Sequence, residues 1–217
     1  HFINAIPASF SFIDLQLNEG NELATGNNIK QTGRTNFIVP LDKGYAGIVS
    51  GYNKDARKNI RQAAAYGLKM IFDASPGIVF SFYKNAYGHL TRQISTEDYE
   101  KFFAACAHAL ANGLGFTCAV KNEKGETVAA AFFAKDNKRI YYLLGAPSAE
   151  GKKLNATHFL IDEVLKQYAG SGLTFDFEGS DIPSVAGFYQ KFGPQKRIYP
   201  HIIINRLPFW IKWIKKR

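Results

Sequence analysis

The stretch TFDFEGSDIPSVAGFYQKFGPQ, Thr174 to Gln195, decides the fold. From Leu173 to Glu178 the side chains alternate, so a strand sets Leu173, Phe175 and Phe177 on one face and Thr174, Asp176 and Glu178 on the other. Two carboxylates are expected side by side where that strand ends. Gly179 and Ser180 break the pattern, and Pro183 suits the first turn of a helix, where its missing N–H loses no partner. Val185, Phe188, Tyr189 and Phe192 follow at i, i+3, i+4 and i+7, the apolar stripe of a short helix closed by Gly193-Pro194. An acidic strand end therefore leads into a helix carrying Tyr189.

Upstream, residues 11–17 read as a strand, 18–33 as a polar loop and 37–39 as a further strand. A helix is predicted over 45–66, with Ala56, Ile60, Ala63 and Ala64 on one face, Lys54, Arg57, Lys58 and Arg61 on another, and Gly67 ending it. Strand 68–72 follows, then a helix opened by Ser75-Pro76 that reaches about Tyr87. Ser95-Thr96-Glu97-Asp98 is an N-cap pattern for a helix ending near Asn112. Three strands, 115–120, 127–135 and 139–144, are joined by turns at 122–125 and 136–137. A helix over 153–168, the acidic strand, the Tyr189 helix and a strand over 200–205 complete an α/β chain with a mixed sheet. There is no internal repeat and no low-complexity segment.

With 217 residues, 46% of them hydrophobic, the chain can bury roughly 70% of its unfolded surface, which excludes a disordered protein. No apolar run approaches the about 18 residues that cross a bilayer, and residues 1–12 lack the basic start and apolar centre of a secretion signal. The expected location is the cytoplasm. Cys106 and Cys118 have no metal-site spacing, and both are expected as small core residues without a disulfide. His89, His108, His158 and His201 are scattered, and neither a G-x-S-x-G elbow nor a P-loop is present, which argues against hydrolase and kinase chemistry. His158 is expected in the core or at its rim, and His201 reads as an edge-strand residue.

The net charge of +9 is unevenly spread. Lys54, Arg57, Lys58 and Arg61 form one basic face, and residues 206–217, RLPFWIKWIKKR, resemble an interfacial anchor with Trp210, Trp213 and Ile214 on one side. Anionic lipid, a tRNA backbone or an acidic cell-wall precursor would be attracted. Alternatively the basic face is merely solvated and the tryptophans pack back onto the sheet.

The wording DFEGS, then IPSVAGFYQKFGP, then a Tyr-Pro-His-Ile strand resembles the FemAB-like branch of the GNAT superfamily. AGFYQKFG is similar to the A-x-x-x-Y-x-x-x-G signature of the last GNAT helix, and residues 33–68 resemble the segment joining the two GNAT-like halves of FemAB-type proteins. The resemblance implies a mixed, mostly antiparallel sheet flanked by helices. It also implies that residues 1–72 are the remnant of a first GNAT-like half with its connecting helix, and 73–217 the acyltransferase domain. An acyl-coenzyme A co-substrate is implied, its pyrophosphate held by backbone N–H groups at a helix start. The matching loop supplies Gly145, Ala146, Ser148, Gly151, Lys152, Lys153, Asn155 and Ala156. It departs from Q/R-x-x-G-x-G/A because Asn155-Ala156 stand where a glycine pair is expected. Relatives in the Fem branch use aminoacyl-tRNA and do not need that loop.

In such a transfer an amine loses a proton as it attacks a thioester or ester carbonyl, and the leaving group gains one. Glu178 and Asp176 are expected to accept the amine proton, and Tyr189 to protonate the leaving thiol or hydroxyl. Two close carboxylates would raise one pKa towards working pH. The alternatives are a structural Asp176 that orders the Gly179-Ser180 turn and a Tyr189 that only fills the core. The resemblance thus implies an acyltransferase acting on an amine, either a small molecule or a cell-wall precursor, without a metal. tRNA-dependent aminoacyl transfer to a peptidoglycan precursor competes, as does a non-catalytic GNAT-like module that binds polyanions or a membrane surface. Oligomeric state leaves no mark in the sequence.

Overall fold

Six consecutive residues of one strand, Val128 to Phe133, are buried, so both faces of that strand must be covered. The computed structural model, which describes residues 2–21, 29–88, 94–208 and 210–211, shows how. The chain forms two compact units, His1–Asn36 with Lys196–Arg217, and Phe37–Gln195. The expected division at 72/73 falls inside the larger unit.

In chain order the elements are β1 (Phe12–Gln16), β2 (Ile29–Pro40), α1 (Tyr45–Ser50), α2 (Lys54–Ala65), β3 (Lys69–Phe72), α3 (Pro76–Tyr87) and α4 (Thr96–Ala111). Then come β4 (Gly115–Lys121), β5 (Thr127–Lys135), β6 (Arg139–Pro147), α5 (Ala149–Lys153), α6 (Ala156–Gln167), β7 (Thr174–Asp176), α7 (Pro183–Gln190) and β8 (Gln195–Asn205). In the larger unit β3, β4, β5 and β6 form an antiparallel meander, β7 joins β6 in parallel, and the end of β2 pairs antiparallel with β7. The mixed, mostly antiparallel α/β sheet is thus as expected.

Alternation along β5 divides the core. Ala129, Ala131 and Phe133 pack with Leu160, Ile161 and Val164 of α6, while Ala130 and Phe132 pack with Val79 of α3 and Cys106 of α4. Cys118 is fully buried against the first of these clusters, and burial pushes the Cys106 thiol up to about 11, so both cysteines are inert core residues. α1 and the turn that follows it are tied to α6 by Asp162, which accepts hydrogen bonds from the hydroxyls of Tyr45 at 2.8 and 2.9 Å and Tyr52 at 3.0 Å.

Several boundaries depart from expectation. The single helix expected over 45–66 is two, because Gly51 caps α1 and the Asn53 side chain accepts the Ala56 N–H at 2.8 Å to start α2 afresh. The helix expected over 153–168 starts at Ala156 as α6, after Asn155 at φ 56°, and Lys153 instead ends the separate short helix α5. β2 begins at Ile29, inside the stretch read as a loop, and β6 runs to Pro147 rather than 144. The acidic strand is only Thr174–Asp176.

In the smaller unit β1 pairs antiparallel with β8, and Ile13, Ile202 and Ile204 form its core. His201 is buried there instead of lying on an exposed edge. Its ring nitrogens lie 2.6 Å from Asp14 Oδ1 and 3.3 Å from Thr32 Oγ1, partners on different strands that alternation along β8 alone could not reveal. Of the expected interfacial tail, Trp210 is exposed, and Trp213, Ile214 and the basic residues from Lys212 onward lie outside the described residues.

Candidate active site

β6 and β7 pair in parallel only from Arg139↔Thr174 to Tyr141↔Asp176. β7 stops there, whereas β6 continues to Pro147 with β5 on its other side. The crevice beyond the end of a parallel pair is where open α/β sheets bind ligands. Beside it β6 is irregular: Phe132 pairs with Leu144 and Phe133 with Tyr142, so Leu143 is the extra residue of a β-bulge. The bulge reverses the alternation. Tyr142 enters the core on the α6 side, and Leu144 enters the core under α3 and α4.

Tyr142 is joined by three more tyrosines. Tyr189 of α7 meets it edge-on, with centroids 6.3 Å apart, and stacks on Phe177 at 4.5 Å. Tyr83 and Tyr87 lie one turn apart on α3, their rings 5.2 Å apart. Burial first, with Tyr87, Tyr83 and Glu178 acting in the same direction, raises Tyr189 to about 12. Burial lifts the other three phenols as well. At neutral pH these groups hold their protons and serve as donors, not bases.

Asp176 and Glu178 have different surroundings. Asp176 is buried, with Oδ2 2.8 Å from Arg139 Nη1 and Oδ1 accepting the Glu178 N–H at 2.8 Å. Its carboxylate is committed to the strand end and the turn. Glu178 lies beyond the strand at φ 61°, rare for a residue with a side chain. The side-by-side projection expected from strand alternation therefore does not occur; a turn links the two acids. Glu178 is exposed to solvent, yet nearby protein partly desolvates its carboxyl and raises its pKa. The Asp176 charge pushes in the same direction and Arg139 opposes it. That environment suits a base better than an ordinary glutamate, whereas Asp176 is suited to positioning it.

The loop after β6 is less accommodating than its sequence implied. A Cβ at Gly145 would overlap the Tyr142 hydroxyl, and one at Gly151 would overlap the Val128 carbonyl, so both glycines are explained by close packing. Ser148 caps α5 by accepting the Gly151 N–H at 3.0 Å. Ala146 and Ala156 are buried, and Asn155 takes the left-handed turn between α5 and α6. Lys152 and Lys153 are exposed. These residues do not assemble the glycine-lined helix start expected for a pyrophosphate.

Lys54, Arg57, Lys58 and Arg61 are exposed on one side of α2, with Arg57 Nη2 donating to the Ser50 carbonyl at 2.8 Å. Their common face follows from helical spacing and was legible in the sequence. Arg139, Tyr142, Tyr83 and Tyr87 were not singled out. Only Tyr142 left a usable signal, as an aromatic residue in the strand before the loop.

A mixed sheet that opens beside β6, with an acid and a helix-borne tyrosine at the opening, defines a GNAT-fold domain. The chain belongs to the acetyltransferase (GNAT) domain family, whose profile matches residues 50–183. The fold is similar to that of FemX, with TM-score 0.67 and 15% identity over 96% of this chain and 69% of that one. It is also similar to the C-terminal domain of a protein described as a lysylphosphatidylglycerol synthetase from Agrobacterium fabrum, with TM-score 0.55, 14% identity, and coverage of 82% and 62%. For L-PGS from Bacillus licheniformis the TM-score is 0.52, with 13% identity and coverage of 86% and 65%. The chain therefore spans less than two thirds of the last two. No curated protein sequence matches it. These similarities agree with the FemAB-like resemblance and concern the fold.

Proposed function

We propose that this chain transfers an acyl or aminoacyl group to an amine. The observation that carries the reading is the pairing of Glu178, raised in pKa at a strained turn, with Tyr189, a protonated phenol beside the same opening. The acceptor nitrogen attacks the donor carbonyl, and Glu178 takes its proton directly or through a water. The C–N bond forms, the C–S or C–O bond breaks, and Tyr189 protonates the departing thiolate or alkoxide. Asp176, fixed by Arg139, holds the Glu178 turn. Proton transfer of this kind is worth about 10²- to 10⁴-fold in rate.

Acyl-coenzyme A is the donor the family resemblance implies. A second donor, aminoacyl-tRNA, is favoured by one specific observation: the packing of Gly145 and Gly151 against the chain itself, while α2 presents four exposed cations. Comparing acetyl-coenzyme A with aminoacyl-tRNA as donors to a panel of amines tests both. Turnover with either supports transfer. Salt-sensitive tRNA binding, with a log–log slope of about −3 for four phosphate contacts, supports the second donor. Binding of polyanions with no turnover from either donor would instead favour a non-catalytic module.

A further inference from the structure

On the α3–α4 side of β6 lies a cavity of about 380 Å³, within the range that admits a small ligand. Its walls are Tyr83, Ile94, Tyr99, Phe102, Leu143 and Leu144, and among the described residues its charged group is Asp98. The β-bulge makes this wall, since it both adds Leu143 and turns Leu144 to this side of the sheet. Phe102 and Leu143, 42% and 37% exposed, are large apolar groups left open to water at the rim of a concave site.

Asp98 is exposed to solvent at the cavity's edge and is tied to the start of α4. Its Oδ2 accepts both the Ser95 N–H at 3.0 Å and the Ser95 hydroxyl at 2.7 Å, the two halves of a capping box. Among the described residues Oδ1 takes no hydrogen bond. Those same Ser95 bonds hold the carboxyl below its usual range, so it is an anion at neutral pH. Glu97 and Glu100 lie beside it on the same helix, Glu97 paired with Lys101 at 2.7 Å. An aromatic-lined cavity with a carboxylate at its edge suits an organic cation with an apolar body, through an ion pair and cation–π contact together.

We propose that this cavity binds the acceptor, and that the acceptor is an amine with an apolar stem and a second, non-reacting cationic group that pairs with Asp98. The assignment of acceptor rests on the transferase reading above. Strand β6 connects the two places, because Leu143 and Leu144 line the cavity and the preceding residue, Tyr142, meets the Tyr189 ring edge-on at 6.3 Å. A nitrogen paired with Asp98 stays protonated and cannot attack a carbonyl, so the nucleophile must be a different nitrogen, at the other end of the stem.

The probes are pentane-1,5-diamine, pentylamine and 1-pentanol, with binding read by calorimetry or by aromatic NMR shifts. Both amines should bind at least about tenfold more tightly than 1-pentanol, since only they can add a charge-assisted hydrogen bond to Asp98. Asp98→Asn should erase that preference. Phe102→Lys, at an exposed rim position that leaves the core intact, should weaken the diamine at least about tenfold. Equal binding of 1-pentanol, or unchanged affinity in Phe102→Lys, would overturn the proposal. Turnover is a separate readout: the diamine should be acylated with a kcat/KM at least about tenfold above that of pentylamine. A cation preference at the cavity without any turnover would refute the transferase reading and the acceptor assignment while leaving the cation site itself.

Discussion

Acidification should destabilise the protein through one residue, His158. Its ring lies under α7, edge-on to Phe188 at 4.9 Å and near Phe192 at 5.9 Å, and the Asn59 side-chain amide is 3.2 Å from Nε2. A neutral ring accepts that amide hydrogen; a protonated one cannot. Burial first, then the Lys191 charge, with Asp55 opposing, lowers the pKa from 6.5 to about 4. Between those two values the unfolded chain binds more protons than the folded one, so stability falls as pH falls from 6.5 towards 4. At about 1.4 kcal/mol per pH unit the gap corresponds to a loss of about 3 kcal/mol, a large share of a typical domain's stability. Urea unfolding of wild type and His158→Gln at pH 7 and pH 4 measures it, because the other titrating groups are common to both chains. The variant should be less stable at pH 7, where the ring packs well, and its further loss on acidification should be about 3 kcal/mol smaller than that of wild type. Equal losses in the two chains would refute the buried, neutral histidine.

Other expectations are independent of this one. Gly151→Ala should lower stability by about 1–3 kcal/mol through collision with the Val128 carbonyl, seen as a fall in melting temperature; an unchanged melt would remove the packing explanation of this loop. Asp176→Asn should cost about 3 kcal/mol by removing the buried carboxylate charge that faces Arg139, and should also slow turnover by loosening Glu178, both checked on one preparation. Tyr189→Phe should cut turnover about 10²-fold or more with a nearly unchanged melt, and a wild-type rate would return Tyr189 to the core. If tRNA is the donor, Lys58→Gln with Arg61→Gln should reduce the salt slope of its binding by about 2.

How far the sequence could be read depended on the range of the interactions involved. Strand β5, helix α3 and the capping box at Ser95 depend on residues three or four apart, and their boundaries follow from local pattern. The breaks at Asn53 and Asn155 are local too, but each is a single polar residue within a helix-compatible run, outweighed there by periodicity. The β-bulge at Leu143 is invisible in one strand, because it exists only in the register against β5. The same reason hid the role of Asp176. Its partner Arg139 is 37 residues away, brought beside it by the parallel pairing of β6 with β7, and that pairing gives the buried carboxyl a guanidinium neighbour that alternation along one strand does not reveal. Gly145 and Gly151 resembled ligand-binding residues for an analogous reason: a glycine required by a neighbouring side chain or carbonyl has the same letter as one required by a phosphate.

The most direct test of transfer through Glu178 and Tyr189 is the pH dependence of kcat/KM, measured with whichever of acetyl-coenzyme A and aminoacyl-tRNA is turned over. Wild type should gain activity as pH rises through a value above the ordinary glutamate range, since Glu178 must lose its proton before it can accept another. Glu178→Gln should abolish that inflection and lower the rate about 10²-fold or more, with the melting temperature held. An identical profile and rate in the variant, or no turnover of either donor by wild type, would contradict the account.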